Sequence, residues 1–466
     1  MEKKRNSFTG SLGFVLAAAG SAVGLGNIWR FPYLAAKDGG GLFLVIYIIL
    51  ALTFGFTLLT TEISIGRITK QSPLTAYSKI KKGWGFMGVI ACLIPMIIMP
   101  YYCVIGGWII KYLVAFLTGD GVTASQDGYF TNFITGDVQP ILFTIIFLCI
   151  TAFVVFRGVE KGIESFSKII MPLLLILVLA IAIFSVTMKF TDAEGVTRTG
   201  LEGLKIYLVP NLEGLTVKQF FSVLLDAMGQ LFFSLSVAMG IMVAYGSYVR
   251  DDANLVSSIN QIEIFDTVVA ILAGVMIIPA VFTFMGTEGM EASGPSLMFI
   301  SLPKVFHAMG GVGIVIGCLF FAMVLFAAIT SSVSIMEAIV ASLMDKFHMS
   351  RIKAAVIETV IALVGGIIVC LGYNKLYFDI ILPNGAHAQV LDVMDYISNN
   401  ILMPIVAIGT CILIGWVAKP KTVIDEVEKT GHKFGRKHLY IVMIKVIAPL
   451  LLVILFLKSL GLLTAI

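Results

Sequence analysis

Long apolar segments separated by short polar connections run along almost the whole chain. A helix that spans a bilayer needs about 20 mostly apolar residues, and several segments here exceed that length, so those helices should tilt or extend beyond the bilayer. The pattern predicts eleven spans, at 11–35, 41–66, 86–117, 139–157, 165–187, 218–247, 255–285, 311–346, 351–373, 389–417 and 438–462.

Composition supports a membrane protein. Hydrophobic residues make up 58% of the 466 residues, and charged residues only 13%, about half the share usual in soluble proteins. This excludes a soluble fold, and the net charge of +4 does not indicate nucleic-acid binding. The six cysteines lie in or beside apolar segments without metal-ligand spacing, so we interpret them as buried apolar side chains.

Two of the predicted spans are interrupted by glycine and polar residues. The first reads GSAVGLGNIWRFP from Gly20 to Pro32, and the sixth reads GQLFFSLSVAMG from Gly229 to Gly240. Close helix packing through small residues would explain the glycines but not Asn27. Irregular backbone at membrane depth is tolerated where it lines a polar cavity, so we expect two broken helices.

Breaks in spans one and six fit a chain built from two inverted five-helix repeats followed by an eleventh helix. Because Lys and Arg concentrate in cytoplasmic connections, their distribution predicts a cell-membrane protein with the N-terminus inside and the C-terminus outside. The predicted regions are a cytoplasmic segment 1–10, a first repeat 11–187, an extracellular connection 188–217, a second repeat 218–417, a cytoplasmic loop 418–437 and an eleventh helix 438–462.

Ionisable and hydroxyl side chains within spans are candidates for function. Glu62, Asp266 and Glu337 lie in apolar segments, where such groups usually mark a pathway or a pair. Glu62 could instead cap free amides of a broken helix. The hydroxyls at 330–332 either bond back to helix carbonyls or, with free carbonyls, supply hard oxygen ligands for an alkali cation.

Five motifs occur in the order typical of one transporter family. They are GSAVGLGNIWRFPY, the acid Glu62 in EISIGR, the pair Tyr101–Tyr102, GQLFFSLS, and ITSS in span eight. With these motifs the whole chain resembles the neurotransmitter:sodium symporter family, specifically its bacterial eleven-span amino-acid transporters. The resemblance implies an all-α polytopic membrane protein that carries sodium and an amino acid and has no organic cofactor.

The resemblance also implies two sodium sites. The first would use Ala22, Asn27, Ser234 and Asp266 together with the substrate carboxylate. The second would use Gly20, Val23, Ala327, Thr330 and Ser331.

Asp266 stands where relatives often have Asn. Animal relatives hold chloride beside the first sodium site, so we expect Asp266 to replace chloride. Tyr47, Gln230 and Ser234 match the chloride ligands of those relatives, and Ala270 stands at their serine position.

For the substrate, the resemblance places the carboxylate at free amides near Leu25 and Gly26. Gly24 lacks the aspartate of monoamine carriers, which favours a substrate that brings its own carboxylate. The lining is apolar and uncharged, which favours a hydrophobic or aromatic amino acid. The expected substrate-binding residues are Ala22, Leu25, Gly26, Ile98, Tyr102, Phe233, Ser234, Ser236, Met239, Ser331 and Ile335.

The resemblance also implies that two pairs of oppositely charged residues act as gates. Arg30 and Asp395 would close the outside, and Arg5 and Asp345 the inside, although Phe8 replaces the usual inner-gate tryptophan. Gly162 and Pro172 match a pattern that lets span five unwind, but a proline near a helix start is equally ordinary.

These residues predict sodium-coupled, chloride-independent symport of a neutral amino acid by alternating access. The expected partners are Na⁺, the amino acid and the lipid bilayer, and no nucleic acid. An intramembrane enzyme is disfavoured because the spans contain no paired catalytic acids, Ser–His dyad or HExxH motif, and a pump because no GxxxxGK[ST] occurs. The alternative is a non-transporting amino-acid sensor on the same scaffold.

Overall fold

The computed structural model describes residues 7–192, 194–212, 215–291 and 294–463. Within these ranges, nine helices are long and apolar enough to cross a membrane, and a bent helix pair makes a tenth candidate. This confirms an all-α polytopic membrane protein. The nine helices are Gly41–Thr69, Gly85–Leu117, Gln139–Phe156, Val159–Thr187, Leu255–Met285, Gly311–Phe347, Arg351–Leu371, Val390–Val417 and Lys437–Ser459.

The bent pair is the predicted first span. Its halves, Ser11–Ala22 and Gly26–Lys37, meet at 52°. The chain leaves the helix at Val23, whose backbone is extended (φ −74°, ψ 97°). Glycine is about 1 kcal/mol less favourable than alanine inside a helix, so the glycines around this point lower the cost of the break.

The predicted sixth span is also divided. It consists of Val217–Ser234 and Ile241–Ser247, and three residues between or next to them have positive φ: Ser236 (53°), Ala238 (64°) and Gly240 (75°). Polar residues in the first half keep it outside the set of strongly apolar helices, so the described ranges contain nine or ten candidate spans rather than the eleven predicted.

Short elements fill the connections. Two antiparallel hairpins pair Lys189–Thr191 with Thr197–Thr199 and Ile380–Ile381 with His387–Ala388, so the connection 188–217 is more structured than the sequence predicts. The loop 418–437 likewise contains a helix. The short helices are Pro73–Ile80, Gly121–Ala124, Tyr129–Ile134, Gly200–Leu208, Glu288–Glu291, Gly294–Ser296, Leu297–Ser301, Leu302–Ala308 and Lys421–Glu428.

Glycines bring the second span against Ile241–Ser247, the second half of the sixth. A Cβ at Gly66 would lie 2.0 Å from the Val243 carbonyl oxygen, and one at Gly246 would lie 2.3 Å from that of Ile63. Only glycine fits at either position. This close contact holds the broken backbone of span six beside Glu62, at the centre of the molecule.

Candidate functional site

A cavity of about 410 Å³ lies where the two broken helices face spans three and eight. All eleven residues expected to bind substrate line it, and Ser21, Gly24 and Asn27 complete the lining. The wall therefore contains no charged side chain. The lining residues are Ser21, Ala22, Gly24, Leu25, Gly26, Asn27, Ile98, Tyr102, Phe233, Ser234, Ser236, Met239, Ser331 and Ile335.

One end of this cavity is polar and closely fitted to the broken first helix. A Cβ at Gly24 would lie 2.8 Å from Ser331 Oγ and 3.5 Å from the Tyr102 hydroxyl. The Tyr102 hydroxyl and Ser21 Oγ are buried without a hydrogen-bond partner among the described residues. Buried polar groups are normally bonded, so both are free for a ligand. The sequence analysis did not identify Ser21.

The residues predicted for the first sodium site converge on Asp266. Its Oδ1 accepts hydrogen bonds from Asn27 Nδ2 and Ser234 Oγ, both at 2.8 Å, and its Oδ2 accepts one from the Tyr47 hydroxyl at 3.4 Å. All of these side chains are buried. Ala22 lines the same cavity as Asn27 and Ser234. Asp266 thus joins spans one, two, six and seven.

The five residues predicted for the second sodium site also lie together. Ser331 Oγ is 3.4 Å from the carbonyl oxygens of both Gly20 and Val23. Thr330 Oγ1 donates to its own helix at Phe326 (3.1 Å) and Ala327 (3.0 Å), as the back-bonding alternative expects. These are all neutral oxygens, a donor set suited to a hard monovalent cation.

The surroundings of Asp266 match a chloride site in part. Gln230 Nε2 donates to the Gly26 carbonyl at 2.9 Å, and its Oε1 is buried without a partner among the described residues. Tyr47 reaches the carboxylate directly. Ala270 is fully buried and offers no hydroxyl. A carboxylate therefore lies among side chains that could serve an anion.

Glu62 and Glu337 have different surroundings. Glu62 Oε1 accepts the backbone amide of Ala238 at 2.6 Å, which confirms that it caps the broken sixth helix. Glu337 is paired: Arg351 donates to both of its oxygens at 2.7 Å, and Tyr248 donates at 2.7 Å. Glu337 is therefore one member of an ion pair.

Within the described candidate spans, sequence reasoning missed three further buried acids, Glu164, Glu263 and Glu358. Glu263 pairs with Arg436 at 2.9 Å. Both carboxylate oxygens of Glu358 lack a partner among the described residues. Its place in a buried stripe with Ala355 and Ala362, at helical spacing, was the signal available in the sequence.

The predicted outer-gate residues are not in direct contact. Asp395 Oδ1 instead accepts from Tyr101 at 3.0 Å and Asn399 at 2.6 Å, while Arg30 is exposed. Arg30 lines a vestibule of about 720 Å³ that shares Phe233 with the central cavity, and we name it the outer vestibule after the predicted orientation.

Ionic groups surround this outer vestibule. Asp226 forms ion pairs with Lys37 at 2.8 Å and Lys458 at 3.0 Å. Burial, and then the neighbouring Asp226 carboxylate, raise the pKa of Asp38, which follows the first span, to about 6.

Of the inner-gate pair, Arg5 lies outside the described residues. Asp345 accepts the backbone amide of Ser72 at 2.7 Å. Phe8 is buried, and its ring lies 5.8 Å from that of Tyr245 and 6.3 Å from that of Tyr248, so it packs among aromatic rings beside the predicted inner gate. A Cβ at Gly162 would lie 2.1 Å from the Val154 carbonyl oxygen, which explains this glycine by packing.

Comparison with known proteins identifies the class. The model of the sodium:neurotransmitter symporter family matches residues 5–126 and 134–465, so the chain belongs to this family. It is therefore a sodium-coupled multi-pass membrane transporter and not an enzyme, as the sequence predicts.

Individual relatives match almost the whole length of the chain. The uncharacterized sodium-dependent transporter YhdH of Bacillus subtilis is 34% identical over 99% of both chains. A sodium- and chloride-dependent GABA transporter 2 from Homo sapiens is 27% identical over 92% of this chain and 77% of its own. Among solved structures, MhsT in complex with L-phenylalanine superposes with a TM-score of 0.84, at 33% identity over 98% of this chain and 100% of MhsT.

Proposed function

We propose that this protein is a sodium-coupled symporter of a neutral, hydrophobic or aromatic L-amino acid that works by alternating access without chloride. The observation that carries the proposal is the cavity wall. It has free polar groups where the first helix is broken, apolar side chains such as Ile98 and Ile335 beyond them, and no charge. Such a cavity suits a zwitterion with an apolar side chain. The bound L-phenylalanine of MhsT supports the same substrate class.

In this proposal, backbone amides near Leu25 and Gly26 bind the substrate carboxylate together with the Tyr102 hydroxyl. Helix ends of this kind attract anions. Carbonyls near Ala22 and Phe233 accept hydrogen bonds from the ammonium group. Met239 and Ile335 hold the apolar side chain, and methionine adapts its shape to different ligands.

Two sodium ions would accompany the substrate. The first lies between Asn27, Ser234 and the substrate carboxylate, with Asp266 supplying the negative charge that chloride supplies elsewhere. The second lies between the carbonyls of the first helix and the hydroxyls of Thr330 and Ser331. Because sodium and substrate share one carboxylate, each strengthens the binding of the other.

The proposed architecture is two inverted five-helix repeats, 11–187 and 218–417, with an eleventh helix and the N-terminus in the cytoplasm. Arg30 and Asp395 close the outer pathway, and Arg5 and Asp345 the inner one. The outer residues approach each other only when the vestibule closes, which agrees with their separation beside the open vestibule.

The decisive experiment is uptake of radiolabelled L-phenylalanine and L-leucine into proteoliposomes. An inward sodium gradient should drive accumulation with chloride replaced by gluconate. Undiminished uptake in sodium-free buffer at neutral pH would refute the proposal. Sodium-dependent binding without uptake would instead identify the sensor.

Variants localise the activity to the cavity. Tyr102→Phe removes a hydroxyl that has no hydrogen-bond partner among the described residues, so binding should weaken about tenfold without loss of stability. The matched control is Tyr377→Phe, which alters an exposed tyrosine remote from the cavity lining.

A further inference from the structure

The start of the first helix lacks a capping side chain of its own. Its N-cap is Gly10, and the helix runs from Ser11 to Ala22. The first amides of a helix have no partners within it and attract negative charge. In this protein the negative charge comes from Glu164 at the start of span five, which follows Thr9 by 155 positions in sequence.

Glu164 binds the segment just before this helix. Its Oε2 accepts the backbone amide of Thr9 at 2.8 Å, and its Oε1 accepts the Thr9 hydroxyl. Lys168, one turn along span five, lies 2.7 Å from Oε1. The Glu164 side chain is 1% exposed, whereas Thr9 and Lys168 lie at the surface. Hydrogen bonds to a charged group are stronger than those between neutral groups.

Gly13 leaves room for this carboxylate. A Cβ at Gly13 would lie 2.1 Å from Glu164 Oε1, so the acid lies directly against the helix backbone. Any side chain at position 13 must displace it. The contact thus depends on the carboxylate of Glu164 in span five and on the absence of a side chain at Gly13 in the first helix.

The same helix carries two carbonyls of the proposed second sodium site at its other end. It is 12 residues long, which is about 18 Å of helix. Span five follows it, since a Cβ at Gly20 would lie 3.0 Å from Met171 Sδ. A movement of the helix start away from span five would therefore also shift the Gly20 carbonyl.

The element that carries Glu164 is itself irregular. Residues Val159–Glu164 form a π-helical turn after Gly158, whose φ is +86°. Turns of this type are rare and often occur at functional positions. A change in this turn would withdraw the carboxylate from Thr9 without unfolding the rest of span five.

We infer that Glu164 is a positioning residue for transport. Its carboxylate holds the start of the first helix against span five while sodium occupies the second site, and it releases the helix when the protein opens to the cytoplasm. The inference rests on the proposed function and its orientation. Occupation of the sodium site and the Thr9–Glu164 contact support each other, because one rigid helix joins them.

The test measures access to the inner crevice of about 630 Å³, which is lined by Phe8, Ser11 and Phe14 among others. A Ser11→Cys reporter is placed in a background with Cys149→Ser and Cys318→Ser, since these two native cysteines are not buried. A membrane-impermeant maleimide is applied to inside-out vesicles in NaCl or KCl. Sodium alone should slow alkylation of the reporter.

Glu164→Gln should make alkylation in NaCl about tenfold faster, the factor expected when a hydrogen bond to a charged group is lost. Glu160→Gln is the matched control, because Glu160 is an exposed acid in the same turn and should leave the rate unchanged. The sodium concentration that half-protects the reporter should rise in Glu164→Gln, while amino-acid binding at saturating sodium stays the same.

Equal alkylation rates in the Glu164 and Glu160 variants would refute the positioning role of Glu164, even if sodium still protects the reporter in the parent protein. Loss of sodium protection and of sodium-dependent binding in the parent would overturn the proposed function instead. If Glu164→Gln does not fold, Thr9→Val removes one donor from the same contact, and Gly13→Ala displaces the carboxylate. Both should accelerate alkylation in NaCl.

Discussion

At the scale of single residues, the cavity depends on positions where a side chain is missing. Gly24 brings the backbone of the first helix against Ser331 and Tyr102, and Gly26 brings it against Phe233, whose Cδ1 would be 2.8 Å from an added Cβ. These contacts shape the polar end of the cavity. We therefore expect one added methyl group there to alter binding more than folding.

Gly24→Ala tests this point. The new methyl group would lie 2.8 Å from Ser331 Oγ, and overpacking of this kind costs about 1–3 kcal/mol. We expect amino-acid affinity to fall at least tenfold in a sodium-dependent binding assay. Gly435→Ala is the control, since nothing lies within 4 Å of its Cβ position, and an equal loss in both variants would contradict the prediction.

Asp266 supports a second prediction at this scale. Its carboxylate supplies the charge beside the proposed first sodium site and accepts from Asn27, Ser234 and Tyr47. Asp266→Asn keeps the shape and removes the charge, so uptake should become chloride-dependent or stop. Uptake is measured with chloride or gluconate. Chloride-independent uptake by this variant at the parent rate would refute the role, and Asp252→Asn, an exposed acid, serves as control.

At the scale of elements, the two broken helices were predictable, because glycines and polar residues at membrane depth have no stable place in a continuous helix. The cap on span six was predictable from Glu62 for the same reason. The hairpin that pairs Lys189–Thr191 with Thr197–Thr199 was not, since three-residue strands leave little periodicity to detect. The separation of Arg30 from Asp395 follows from the packing of distant segments, which no local pattern encodes.

For acids within spans, such as Glu358 in span nine, the sequence does not show whether the carboxylate has a partner, because the partner comes from a distant segment. Glu358 is buried with both oxygens unpartnered among the described residues, whereas Glu337 is buried and paired with Arg351. A buried acid without partners weakens a fold, while one removed from an ion pair leaves an uncompensated charge.

Substitution of Glu358 and of Glu337 by methionine should therefore change the stability of the protein in opposite directions. Glu358→Met removes the unsatisfied acid and should stabilise the protein by about 1–3 kcal/mol. Glu337→Met should destabilise it by about 3–5 kcal/mol. Thermal denaturation in detergent gives both shifts. If both variants lose stability equally, Glu358 has a partner in the folded protein.

At the scale of the whole molecule, residues of the first span line three spaces in succession along the chain. The outer vestibule shares Phe233 with the substrate cavity, and the inner crevice lies at the start of the first helix beside Phe8 and Phe14. Spaces arranged in this order would permit alternating access if the halves of spans one and six move in turn, and the direction of transport depends on which end faces the cytoplasm.

The orientation is testable because each side of the molecule has an exposed connection. Most Lys and Arg residues lie in the connections assigned to the cytoplasm, including the helix Lys421–Glu428, and this bias predicts that the N-terminus lies inside. In a Cys149→Ser, Cys318→Ser background, a cysteine at Thr197 should react with an impermeant maleimide on intact cells, whereas one at Asp425 should react only after permeabilisation. Both positions are exposed, so the reverse pattern would mean the opposite orientation and would exchange the inner and outer gates.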